Sequence, residues 1–142
     1  MKTLRILVLS TCLAATSGVL GAAYDDLINA ANIGDARTVA AFVDRGLDVN
    51  SVDPRGETLL IIASRAGHLD LVKALLERRA KLEAVNAVGE TALAVAAYSG
   101  HAEVVDLLLA KGADPVNTQG WSALHYAAMQ GHSAPLKALI AR

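Results

Sequence analysis

The chain has 142 residues, 28 of them Ala and 21 Leu, and aromatics make up only 4%. That composition favours helix and excludes a sandwich or barrel built from Val, Thr and Tyr. A mean hydropathy of +0.38 excludes a disordered chain. A net charge of -1 gives no basic excess for nucleic acid, and a single Cys excludes a disulfide framework.

The first predicted element is a leader over residues 1–23. Lys2 and Arg5 precede an uncharged stretch from Ile6 to Ala23, whose strongest apolar part is Ile6 to Ala15. Small residues follow, ending at Gly21-Ala22-Ala23. A basic start, an apolar middle and a small-residue end are the three parts of a secretory signal peptide. Cleavage is expected near Ala23, with Val19-Leu20-Gly21 as a second point. The stretch is just long enough for an uncleaved anchor, although Thr11, Thr16, Ser17, Gly18 and Gly21 dilute it. Lipidation at Cys12 fits poorly, because Thr11 precedes it and the apolar run ahead is short. Export to the periplasm or to the outside is the expectation. Loss of Lys2, Arg5 and Cys12 leaves 11 basic residues against 14 acidic ones, a net charge of -3, and no Cys. Such a chain cannot mispair thiols in an oxidising compartment.

The remainder repeats itself. Gly34, Gly67 and Gly100 lie 33 residues apart, with Gly131 31 further on. Gly56 and Gly89 keep the same spacing, and Gly120 follows. Gly56-Glu57-Thr58-Leu59-Leu60 aligns with Gly89-Glu90-Thr91-Ala92-Leu93 and with Gly120-Trp121-Ser122-Ala123-Leu124. Gly67-His68-Leu69-Asp70-Leu71-Val72 aligns with Gly100-His101-Ala102-Glu103-Val104-Val105. Four units follow, over roughly 24–50, 51–83, 84–115 and 116–142.

Within a unit the order of elements is a turn, a helix, a Gly, and a second helix. Asp53-Pro54-Arg55-Gly56, Asn86-Ala87-Val88-Gly89 and Asn117-Thr118-Gln119-Gly120 suit type I turns, with Asx first and Gly fourth. Thr58, Thr91 and Ser122 then stand as hydroxyl N-caps. In the first helix, Leu27, Leu60, Leu93 and Leu124 share one position, and Ala30, Ala63, Ala96 and Ala127 share another. The small residue lets neighbouring helices approach closely. Asp25-Asp26 reads as the start of the first helix, where the dipole favours acids. The second helix carries an apolar stripe, as in Leu71-Val72 with Leu75-Leu76 and Val104-Val105 with Leu108-Leu109. Pro135 falls in the first turn of the last such helix, where a missing N–H is tolerated. Lys111 and Arg142 suit helix C-termini.

Through these recurring phrases, the chain from Tyr24 to Arg142 resembles the ankyrin repeat family. Ser122-Ala123-Leu124-His125-Tyr126-Ala127-Ala128-Met129-Gln130-Gly131-His132 carries the likeness most fully. Among members, it resembles small exported bacterial ankyrin proteins. The resemblance implies an all-α ankyrin repeat solenoid of about four helix-turn-helix units joined by hairpin-like fingers. Departures are local. The family's Thr-Pro-Leu-His phrase has no Pro in any unit and keeps its His only at His125. Each lost His is expected to cost about 1 kcal/mol of hydrogen bonding. The finger before Asn117 is two residues short and is expected to project less.

No catalytic array emerges. Ser122 lacks the second Gly of a hydrolase elbow, and no Gly-rich phosphate loop leads into Lys-Ser or Lys-Thr. His68, His101 and His132 recur at one repeat position, so structure explains them and their spacing is too wide to share an ion. His125 reads as a helix-start histidine. The chain is therefore expected not to be an enzyme, with no catalytic residue, no metal and no cofactor.

Stacked repeats offer an extended concave surface, and in ankyrin proteins partners usually dock there. Carried over by position, the protein-binding residues are Arg55, Glu57, Val88, Glu90, Gln119 and Trp121 on fingers. Arg65, Tyr98, Ser99, Met129 and Gln130 follow on first helices, beside Asn32, Ile33 and Ala66. The expected partner is another protein, with neither nucleic acid nor membrane bound apart from an uncleaved leader. An alternative is an immunity-type or inhibitory partner of a neighbouring enzyme or toxin, which the acidic mature charge suits. A monomer is expected, although the last helix, Leu136 to Arg142, lacks a strongly polar cap and leaves pairing of two stack ends open.

Overall fold

The computed structural model describes residues 17–116 and 120–141. Eight helices occupy these residues in four pairs. They are α1 (Ser17–Ile33) with α2 (Ala36–Asp44), and α3 (Leu59–Ala66) with α4 (Leu69–Glu77). Then come α5 (Ala92–Ser99) with α6 (Ala102–Ala110), and α7 (Ala123–Met129) with α8 (Ser133–Ile140). The first helices pack on one another in the order α1, α3, α5, α7, and the second helices in the order α2, α4, α6, α8. The result is a two-layer helical stack, as the repeat spacing predicts.

The hydroxyl caps form as expected. Thr58, Thr91 and Ser122 sit in extended backbone and accept from the N–H groups of Ile61, Ala94 and His125. His125 also reaches back, its Nδ1 accepting from Ser122 N at 3.3 Å, which completes a capping box. Between units the chain makes a short finger closed by one antiparallel bridge, Val52 to Thr58, Val85 to Thr91 and Val116 to Ser122. In the first two fingers the turn is held by bonds from Gly56 N to Asp53 O (2.9 Å) and Gly89 N to Asn86 O (3.0 Å). The third turn, through Asn117, Thr118 and Gln119, lies outside the described residues, as do the leader as far as residue 16 and Arg142.

The core is aliphatic. Leu27, Leu60 and Leu93 are fully buried, as are Ala63, Ala96 and Ala127. Val39, Leu71, Val72, Leu75, Val104, Val105 and Leu108 cover them from the second layer. Leu124 departs from its row at 40% exposure, because no described helix packs beyond α7 and α8.

Successive units are locked by an imidazole on a glycine. His68 Nε2 lies 3.1 Å from Asn32 O, and His101 Nε2 lies 3.0 Å from Arg65 O. Their rings, and that of His132, cover Gly34, Gly67 and Gly100, where a Cβ would stand 2.5, 2.5 and 2.9 Å from the ring. The three histidines thus have a structural role, each at one repeat junction.

One local expectation is corrected. Asp25 and Asp26 do not begin the first helix. The helix α1 already runs from Ser17, the first described residue, and carries both acids, exposed, inside it. Gly18 to Ala23 contains neither a Pro nor an Asx-x-x-Gly turn, so nothing local stops the helix from extending backwards.

Candidate protein-binding face

The fingers and the first helices share one side of the stack, and the positions chosen from the sequence fall into two groups there. The first group is a ladder of charges. Asp53 Oδ1 accepts from Arg55 N and Glu57 N, both at 2.9 Å, so its carboxylate replaces the missing ladder of the finger. Arg55 returns to it through Nε at 3.0 Å and approaches Glu57 Oε2 at 3.5 Å. Arg65, on α3, pairs with the other oxygen of Glu57 and stands 3.8 Å from Glu90 Oε2 on the next finger. Glu90 is fixed in turn by Asn86, whose Nδ2 donates to Oε2 at 2.9 Å while Oδ1 accepts from Glu90 N at 2.9 Å.

Glu57 is therefore not an exposed finger residue, as its position suggested. It is 5% exposed and holds the two arginines. The reason is tertiary: Arg65 is drawn to it across the turn. Asp53, also buried, was not among the positions singled out. Its place at the head of an Asx-x-x-Gly turn was the available signal. Burial opposes ionisation of Asp53, but the N–H groups of Glu57 and Arg55 and the Arg55 guanidinium together outweigh it. The Asp53 carboxyl is held below its ordinary value as a result. The hydrogen bond to Asp53 raises the Arg55 guanidinium above its ordinary value.

The second group is aromatic. Tyr98, on α5, meets Tyr126, on α7, edge to face with centroids 6.5 Å apart. Trp121 leaves the finger and lies back over α7, 6.1 Å from Tyr126 and 5.8 Å from His125. Tyr98 and Trp121 remain nearly half exposed, at 45% and 46%. Val88 and Met129 are more exposed still, Gln130 is exposed and Ser99 half-buried. Tyr126, missed from the sequence, joins the cluster because it replaces the aliphatic Ile62 and Val95 at a repeat junction. Gln119 lies outside the described residues.

The two faces of the stack differ in character. Among the described residues every exposed large apolar side chain except Ile140 belongs to a finger or a first helix. The outward positions of α4 and α6 are Asp70, Lys73, Glu77, Glu103, Asp106 and Ala110. Chemically, the finger side offers shape, apolar contact and arginines already held in place. Among the described residues no group of three or more His, Asp or Glu side chains is placed to hold a metal ion.

Paired helices, capped fingers and imidazole-locked junctions define a helical repeat solenoid. The family model for ankyrin repeats, three copies to a match, fits residues 27–119 and again 79–142, and the chain belongs to the ankyrin repeat family. Ankyrin repeats generally mediate protein–protein interaction, and proteins built from them are typically non-catalytic scaffolds. A comparison with curated proteins finds no match.

Proposed function

We propose that the protein is an exported, non-catalytic ankyrin repeat protein that binds another protein through its finger and first-helix side. The supporting observation is the segregation of exposed apolar side chains to that side. Tyr98, Trp121 and Met129 are of the kinds that anchor interfaces, Val88 adds exposed apolar surface, and Arg55 and Arg65 are held in place on the same side by carboxylates. A guanidinium already held in place loses less freedom when a partner arrives.

Export to the periplasm or beyond rests on the leader. Cleavage after Ala23 would retain Leu27, Ile28, Ala30 and Ala31, the buried residues of α1 among those whose burial is described. It would also place Asp25 and Asp26 in the first turn of the shortened helix, where acids are stabilising. Among the described residues no helix is long and apolar enough to cross a membrane.

Two measurements test this reading. Capture from an envelope extract is expected to enrich one protein with wild type and to lose it with the Tyr98→Ala, Trp121→Ala double variant. Equal recovery by both would show that the face is wrong. Intact mass of the exported form is expected to correspond to a chain beginning at Tyr24, and a mass retaining residues 1–23 would refute cleavage.

A further inference from the structure

Charge is divided unevenly between the two sides of the stack. Among the described residues, the fingers and first helices carry eight carboxylates and three basic side chains, Arg55, Arg65 and Lys81, a net -5. The second helices, with their caps and closing turns, carry six carboxylates and seven basic side chains, a net +1. Two of the three cations on the finger side are already engaged, because Arg55 and Arg65 are shared by Asp53, Glu57 and Glu90. From Ala84 to Ser99 and from Ala113 to Met129, along the fingers and first helices of the third and fourth units, the chain has no Lys or Arg.

The rings of Tyr98 and Tyr126 stand in this stretch. They meet at 77°, so they form a corner and not a flat patch, and Trp121 walls it at 48° to Tyr126. Helix α5 is flanked by α3, α7 and α6, so the 45% exposure of Tyr98 opens to the finger side and not to an end of the stack. Glu90, half-buried, holds its carboxylate on the finger that leads into α5, where Asn86 fixes it. The faces of tyrosine and tryptophan rings carry the negative part of a quadrupole and attract an ammonium or guanidinium within about 6 Å.

We propose that the partner presents a basic segment to this side, with one Lys or Arg side chain seated over the Tyr98–Tyr126 corner. The inference rests on the reading of the finger side as a binding face and adds the charge of what that face binds. The carboxylate excess draws a basic segment in before contact and favours its orientation. At contact the rings take the cation without a like charge beside them, since Arg65, one unit away, is paired with Glu57 and Glu90. An acidic segment would meet the same carboxylate excess and find no Lys or Arg on the fingers or first helices of these two units to pair with.

Trp121 is the only Trp of the chain, so its fluorescence reports on this cluster alone. Titration of the purified chain with hexaarginine is expected to change that fluorescence saturably, with a midpoint below about 1 mM that rises with salt. Hexaglutamate is expected to give no such change. Tyr98→Leu, which keeps bulk and loses the ring, is expected to raise the midpoint at least ~5-fold, and Tyr98→Phe to restore it. Glu90→Gln is expected to raise it at least ~2-fold, while Asp106→Asn, the same change of charge on the outward side of α6, leaves it where it was. Circular dichroism checks that each variant is folded. No saturable change by about 1 mM, an equal response to hexaglutamate, a midpoint indifferent to Tyr98→Leu, or equal weakening by Asp106→Asn would overturn the proposal. Partner capture is a separate readout. If the Tyr98→Ala, Trp121→Ala variant loses its partner while hexaarginine leaves wild-type Trp121 unchanged, the face stands and the basic segment is refuted.

Discussion

Replacing Gly67 by Ala probes the lock between units directly. Its backbone sits at φ +75 and its Cβ position lies 2.5 Å from His101 Nδ1 and 2.6 Å from His101 Cε1. Gly56 has nearly the same backbone, φ +78, but its nearest neighbour is 3.7 Å away, an ordinary contact. Both substitutions carry the left-handed backbone cost of about 1–2 kcal/mol. Gly67→Ala must also expel the ring, losing the bond from His101 Nε2 to Arg65 O, about 1 kcal/mol. Repacking the displaced ring adds about 1–3 kcal/mol. Gly67→Ala is therefore expected to cost about 2–4 kcal/mol more than Gly56→Ala in urea denaturation followed by circular dichroism. In a His101→Ala background that excess should vanish, which makes the pair a double-mutant cycle. Equal costs for Gly67→Ala and Gly56→Ala, or an excess that survives removal of the ring, would refute the steric argument.

Other consequences follow from single residues. Asp53 and Asp35 both have folded-state carboxyls below the ordinary value, Asp53 through the donors already described and Asp35 through its Thr38 hydrogen bonds. Their contribution is complete above the ordinary carboxyl value and is lost as pH falls through it and then through the folded value. Stability is thus expected to drop chiefly below about pH 4, and Asp53→Asn to flatten that drop. An unchanged acid profile in Asp53→Asn would contradict this. Ser64 is fully buried in α3, and its hydroxyl has no partner among the described residues, so Ser64→Ala is expected to gain about 1 kcal/mol. A lower melting temperature would count against it. Arg79 has φ +63 at a position that Gly46 and Gly112 fill in neighbouring units. Arg79→Gly is expected to stabilise by about 0.5–1 kcal/mol in the same denaturation assay, and a loss would show that Arg79 is not strained.

The repeat period, the hydroxyl caps and the aliphatic stripes were legible in the sequence because each depends on residues a few positions apart. Thr58 caps Ile61 whatever else the chain does, and Leu71 and Leu75 share a helix face by spacing alone. The fate of the finger side chains was not legible. Glu57 is buried because Arg65 reaches it from a different element, and Trp121 lies on α7 because His125 and Tyr126 meet it there. The first event leaves no local mark; the second is local, His125 and Tyr126 standing four and five residues on, but Trp121 precedes the helix and helical spacing does not set its direction. The start of α1 was misplaced for the opposite reason, since small apolar residues continue a helix as readily as they end a leader.

Site-specific photo-crosslinking tests the interaction face most directly. A crosslinking residue placed at Val88 or at Met129 is expected to capture one and the same partner protein in the producing cell. The same residue at Lys73 or Asp106, exposed on the outward side of α4 and α6, is expected to capture none. Capture from Lys73 or Asp106 alone, or from none of the four positions, would contradict the assignment of the finger and first-helix side as the binding face.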